Sequence, residues 1–187
     1  AESLGGTAPS ASKGQANAAK IANRPYLRRS EILETIPGMI TTQHAGGGKA
    51  TQYFLRGFNL DHGTDFATSI DGMPMNLKTH AHGQGYTDLN PLIPELVESV
   101  DYVKGTYTAD NGDLSTAGSA DFKLFDVLPG HSVTLGFGEY NYYRALMAGS
   151  IHLDVEAPFT PSAPSKNPGK NPVTPSAPVT DIHALTY

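Results

Sequence analysis

Glycine and proline cut this 187-residue chain into short pieces, and that most limits what it can become. Pro37-Gly38, Gly46 to Gly48, Gly57, Gly63, Gly72, Pro74, Gly83, Gly85, Pro91, Pro94, Gly105, Gly112 and Gly118 interrupt the region between Arg24 and Phe125. Long helices cannot survive such punctuation, so short strands joined by many turns are expected. Cysteine is absent, which excludes a disulfide framework, thiol catalysis and thiolate metal sites. Net charge is -5 and no basic cluster extends beyond Arg28-Arg29, so no nucleic-acid partner is expected. No apolar run approaches the roughly 18 residues of a spanning helix. The opening AESLGG is compatible with a mature N-terminus left by cleavage after a small residue, which sequence alone does not establish.

Four segments follow from the pattern. Residues 1–22 are small and polar and read as a flexible leader, with a short helix near Asn17 to Ala22. Residues 23–125 carry the core. There, Ser30 is placed to cap a short helix, Glu31 sits in its first turn, and Ile32, Leu33 and Ile36 form its apolar face. Pro37-Gly38 ends it and Met39 to Gln43 begins a strand. The runs TQYFLRGFN (51–59) and DFATSIDGMPM (65–75) are β-rich and are expected to pair through the loop LDHGT. Phe66, Thr68 and Ile70 share a face by the period of two, and Asp71-Gly72 is a turn signal. Pro94 and Glu95 suit the first turn of a short helix, followed by a strand with Val100, Tyr102 and Lys104 on one side and Asp101 and Val103 on the other. A further strand is expected near Ala120 to Phe125.

Residues 126–154 change character. HSVTLGFGEY sets Val133, Leu135 and Phe137 against Ser132, Thr134 and Gly136, and RALMAGSIHLD alternates again through Ala145, Met147, Gly149, Ile151 and Leu153. Two such runs with aromatics between them fit a membrane-barrel hairpin, with an ordinary soluble hairpin as the alternative. Residues 155–187 hold seven prolines between Pro158 and Pro178 and repeat TPSAP, the composition of an extended tail or linker.

The chemistry-bearing residues gather in loops. No G-x-S-x-G elbow, P-loop or H-E-x-x-H pattern occurs, and the Asp61-His62 and Asp65 neighbours alone do not make an enzyme. His80 and His82, if strand-like, point the same way about 6 to 7 Å apart, a spacing two metal ligands can use, and His44 and His62 stand in other loops. No metal is assigned on that basis, and a polar loop contacting a ligand is the preferred reading. Arg56, in a β-rich run, calls for a carboxylate, with Asp71, Glu95 and Glu98 the candidates. Gly57 and Gly72 serve backbone geometry.

LETIPGMITTQ, YFLRGFN, SIDGMPMNL and IPELVESVDYVKGTYTADNGDLSTAGSADFK stand in order at close spacing. Together they resemble the plug domain of a TonB-dependent outer-membrane receptor over residues 23–125, and residues 131–154 resemble the first barrel strands. The resemblance implies an α+β fold: a small plug around a four-stranded mixed sheet with short helices, then a β-hairpin of barrel type and the Pro-rich tail. It implies a bacterial outer-membrane location inside a roughly 22-stranded barrel. The implied partners are the remainder of that barrel, a TonB-type periplasmic energiser, and a scarce nutrient such as an iron-siderophore or other metal complex. No permanent cofactor and no catalysis are implied.

By position, the loops Asn59 to Thr64 and Asn76 to Asp88 would face outward. Asn59, Asp61, His62, His80, His82, Gln84 and Tyr86 are then the ligand-contact candidates, and Arg56 with Asp71, Glu95 and Glu98 the gating latch. The chain departs from the pattern at Thr106, where the family usually has Pro, in residues 1–22, which show no TonB-gripping segment, in the tail, and in carrying about twenty strands too few for a barrel. Open edges are not tolerated in lipid, so the chain alone is not expected to transport. A free-standing, self-assembling plug-derived module and a metal-binding protein built on the histidine loop are the alternatives.

Overall fold

The computed structural model describes residues 9–43, 48–107, 109–140, 142–150 and 181–182. The chain divides into two compact units, Ala1–Phe125 and Asp126–Tyr187.

The first unit is α+β. Strands β1 (Lys13–Asn17), β5 (Phe66–Ile70), β6 (Met73–Pro74), β7 (Val97–Lys104) and β8 (Gly118–Leu124) form one sheet in the order β1-β7-β8-β5-β6. Only β5 and β8 run parallel, so the sheet is mixed. The expected four strands are joined by a fifth, β1, from the segment read as leader. Its buried positions are only Gly14 and Ala16, too little apolar signal to announce a strand. Pairing decides it instead: Lys13 to Asn17 run antiparallel to Val103 to Ser99, and Gln15 Nε2 donates to the Asp101 carboxylate at 2.9 Å. The helix expected after it forms as α1 (Ala18–Ala22), where the Asn17 side chain accepts from Lys20 N–H at 3.0 Å. Residues 1–8 of the leader lie outside the described residues.

The expected strand faces hold. Val100, Tyr102 and Lys104 are buried, and Asp101 and Val103 lie on the other face. Lys104 is buried with partners: its Nζ donates to the Pro37 carbonyl at 3.2 Å and stands 5.6 Å from the Tyr102 ring centroid. Burial, with the nearby Arg56 charge adding to it, pushes the Lys104 amine below its ordinary value. Phe66, Thr68 and Phe122 complete the buried centre with Ile32, Leu33 and Ile36. The last three come from a 3-10 helix over Arg29–Thr35 and the residue after it. Ser30 does not cap this helix. It lies inside, buried, with its hydroxyl bonded to that of Thr51, while the Glu31 carboxylate reaches back to Leu27 N–H at 2.8 Å.

The expected pairing of residues 51–59 with 65–75 does not form. A second sheet takes β2 (Met39–Thr42), β3 (Gln52–Leu55) and β4 (Phe58–Asn59), so the first run folds back on itself. The second run does the same between β5 and β6. Each fold-back is a two-residue turn, Arg56-Gly57 (φ 52° and 82°) and Asp71-Gly72 (φ 48° and 78°). Positive φ at both positions is the hairpin geometry that matches strand twist, and the glycines make it accessible. Local closure of a tight turn wins over pairing across a longer loop.

Asp121 fastens the Asp71-Gly72 turn to β8. Its carboxylate accepts from the Ser69 hydroxyl, from Gly72 N–H at 3.1 Å and from Lys123 Nζ at 2.6 Å. Burial alone would raise its pKa, but these donors together hold it below the usual value. A depressed folded-state pKa stabilises the fold above the unfolded value and loses that contribution as pH falls through the folded one. Asp121→Asn is therefore expected to lower stability at neutral pH and to lessen its decline on acidification below about pH 4. Denaturant unfolding at stepped pH measures both.

The second unit is described from its hairpin. Strands β9 (Ser132–Phe137) and β10 (Tyr143–Ala148) pair antiparallel, Val133 opposite Met147, Leu135 opposite Ala145 and Phe137 opposite Tyr143. Phe137 and Tyr143 meet edge to face with centroids 6.0 Å apart. Val133, Leu135, Phe137 and Met147 are each more than 60% exposed. Residues 151–154 of the expected hairpin lie outside the described residues. So does most of the tail, of which Asp181–Ile182 forms β11 beside β10.

Candidate histidine-loop site

Two loops meet beside the sheets. The first runs from Asn59 to Thr64. The Asn59 side chain accepts from Asp61 N–H at 2.8 Å, which bends the chain so that Asp61 takes a positive φ of 48°. Leu60 is fully buried and anchors the bend. His62 follows it inward and is also fully buried, with Nδ1 3.3 Å from the Thr51 carbonyl oxygen. Gly63 (φ 99°) lets the loop approach the second one: a Cβ there would lie 2.9 Å from Thr87 Cβ.

The second loop runs from Asn76 to Thr87. Leu77 and Tyr86 pair across its neck, with Leu77 N–H donating to Tyr86 O at 2.9 Å and Gly85 N–H to Leu77 O at 2.7 Å. Asn76 joins the two loops. Its amide nitrogen lies 3.0 Å from the carbonyl oxygens of Gly63, Phe66 and Gly85, and its Oδ1 accepts from Thr68 N–H at 2.7 Å. Thr87 N–H donates to His62 O at 2.8 Å. Tyr86 is buried, its hydroxyl accepting from Ala50 N–H at 2.7 Å.

On this base the ring side chains gather. His80 stacks on Tyr86 with centroids 4.0 Å apart. His82 meets the edge of His62 at 4.5 Å, and its N–H donates to His80 Nδ1 at 3.2 Å. The Asp61 carboxylate stands between the two imidazoles, 3.6 Å from His62 Nε2 and 3.6 Å from His82 Nε2. Burial pushes His62 below its ordinary pKa, with the Asp61 charge opposing that shift.

Five of the seven expected contact residues thus converge: Asp61, His62, His80, His82 and Tyr86. Gln84 is exposed on the same loop, and Asn59 shapes the bend. The pairing of imidazoles differs from the expected one, because His82 faces His62 while His80 turns onto Tyr86. Asn76, Thr51 and Thr87 were not foreseen. Their roles depend on backbone groups distant in sequence, and no motif signals them. His44 lies outside the described residues.

The residues expected to form a latch do not gather. Arg56 occupies a turn instead of a strand and donates from Nη2 to the Ala11 carbonyl at 3.0 Å. Asp71 accepts from Leu124 N–H at 3.2 Å, and Glu95 and Glu98 are exposed. An Arg on a tight turn reaches solvent and backbone, so the carboxylate demanded by a buried strand Arg is not needed.

The family profile described as the TonB-dependent Receptor Plug Domain matches residues 8–119. The chain belongs to that plug-domain family. The plug's sequence profile begins at residue 8, ahead of β1, in keeping with the ordered strand found there. Solved structures share its fold. The ferric enterobactin receptor PfeA of Pseudomonas aeruginosa is 21% identical over 78% of this chain and 22% of its own, with a TM-score of 0.57. The siderophore receptor PirA from Pseudomonas aeruginosa is 22% identical, over 79% of this chain and 26% of its own, at 0.53. The copper transporter OprC is 18% identical, over 78% of this chain and 22% of its own, at 0.53. This chain therefore spans about a quarter of the length of those receptors. Membership makes it a receptor domain and not an enzyme.

Proposed function

We propose that this plug domain gates a TonB-dependent outer-membrane receptor and that its histidine loop contacts an incoming scarce nutrient, an iron-siderophore or another metal complex. The observation that carries the reading is the convergence of Asp61, His62, His80, His82 and Tyr86 from two separate loops. Exposed His80 and His82 and half-buried Asp61, held on the buried His62 and Tyr86, suit ligand contact better than they suit packing. The hairpin supports the barrel half of the reading. Val133, Leu135, Phe137 and Met147 lie exposed on paired strands, a face that water disfavours and acyl chains accept. Further strands of the same receptor would complete the barrel, and a TonB-type protein of the periplasm would supply the energy.

Arg56 fits a gating role in a revised form. Its bond to the Ala11 carbonyl ties the segment before β1 to the Arg56-Gly57 turn, and Lys104 N–H holds the neighbouring Ser12 carbonyl at 2.6 Å. Asp71, Glu95 and Glu98 remain candidates for contacts with the barrel wall. Self-assembly of a free-standing module is not favoured.

Native mass spectrometry of the protein gently extracted from the membranes of its source tests the reading. A mass that includes about twenty further strands, in the same polypeptide or a co-purifying one, is expected. The chain alone, or only copies of itself, would overturn it.

A further inference from the structure

We infer that Asp61, His62 and His82 form a three-ligand site for a divalent transition metal of the zinc and copper class. The carboxylate oxygen and the two imidazole nitrogens all lie within 4.8 Å of one another. Around an ion bound at about 2.1 Å, tetrahedral ligands stand roughly 3.4 Å apart. Asp61 turns one carboxylate oxygen to each ring, Oδ1 3.6 Å from His62 Nε2 and Oδ2 3.6 Å from His82 Nε2, so the carboxylate already sits between the two imidazoles. The remaining closure falls to His82, which is exposed on the loop.

The other two ligands are held. The Thr51 carbonyl, 3.3 Å from His62 Nδ1, can accept a ring proton there, the tautomer in which Nε2, on the Asp61 side, serves as a metal ligand. Such an outer-shell carbonyl fixes both tautomer and ring orientation for metal binding. Asp61 is fixed by the Asn59 cap on its backbone. His80 is outside the set: it accepts from His82 N–H and stacks on Tyr86, so it supports the loop that carries the third ligand. Two imidazoles and one carboxylate favour zinc, copper or nickel over calcium or magnesium, which take oxygen ligands. Three protein ligands leave positions open, as a site needs if it receives a hydrated ion or a metal complex and releases it again. That the metal is cargo rests on the transport reading above, whereas the site itself rests on this chain's geometry.

Zinc titration of the full chain by calorimetry tests the site. One saturable zinc per chain is expected. Asp61→Asn and His82→Ala should each weaken it more than about 100-fold, beyond the loss usual for an outer-shell change. His80→Ala should shift it less than about tenfold. His62→Ala risks the fold because the side chain is fully buried, so the two surface variants, checked by circular dichroism, decide the matter. No saturable zinc, or binding that survives both Asp61→Asn and His82→Ala, would overturn the site. Those results would leave the receptor reading standing, because the extracted mass answers that question separately.

Discussion

Gly118→Ala is expected to destabilise the first unit by about 3 kcal/mol or more. Gly118 opens β8, where Lys104 of β7 faces it on one side and Phe66 of β5 on the other. A Cβ there would lie 2.3 Å from the Val103 carbonyl oxygen, 3.1 Å from Lys104 Cα and 3.2 Å from the Phe66 ring. Two of those atoms are backbone and cannot turn away. Its φ of 148° is also a conformation that side chains disfavour. The sheet must therefore shift at its centre. Gly57→Ala makes the control: its φ is also positive, but no atom lies within 4 Å, so about 1 kcal/mol is expected. Denaturant midpoints for the two variants separate crowding from backbone strain. Equal losses would show that the sheet accommodates the methyl group.

Phe122→Ala is expected to cost about 3–5 kcal/mol, comparable to the whole stability of a small domain. Phe122 is fully buried on β8, between Val100 of β7 and Ile70 of β5. Its carbonyl also accepts from Asp71 N–H at 2.8 Å, so collapse of this position loosens the Asp71-Gly72 turn as well. Phe122→Leu keeps most of the volume and should lose far less, about 1.5 kcal/mol. A loss under about 1 kcal/mol for Phe122→Ala would mean that the sheet centre is not the core of this fold.

The sequence announced what is local and hid what is not. The period-two faces of Val100, Tyr102 and Lys104, and of Phe66 and Thr68, were readable because burial on one face leaves a pattern within a single strand. Asp71-Gly72 was readable because its turn chemistry is carried by two adjacent residues. Strand partnership was not readable. The runs at 51–59 and 65–75 looked equally ready to pair with each other, but the first closes on itself through the positive φ of Arg56 and Gly57. β1 was missed because an edge strand buried through Gly14 and Ala16 looks like polar leader. In the histidine loop the residue types were visible, and their arrangement was not. Asn76 and the Thr51 carbonyl set that arrangement from outside the motif.

Site-directed labelling in intact cells tests the account's central claim most directly. The chain has no cysteine, so Gln84→Cys and Ser10→Cys each add one unambiguous thiol to it. Both positions are exposed, Gln84 on the histidine loop and Ser10 ahead of β1. A maleimide that cannot cross the outer membrane should label Gln84→Cys from outside, and Ser10→Cys only after that membrane is opened. The reverse pattern, or equal labelling of both from outside, would contradict a plug whose histidine loop faces the incoming nutrient.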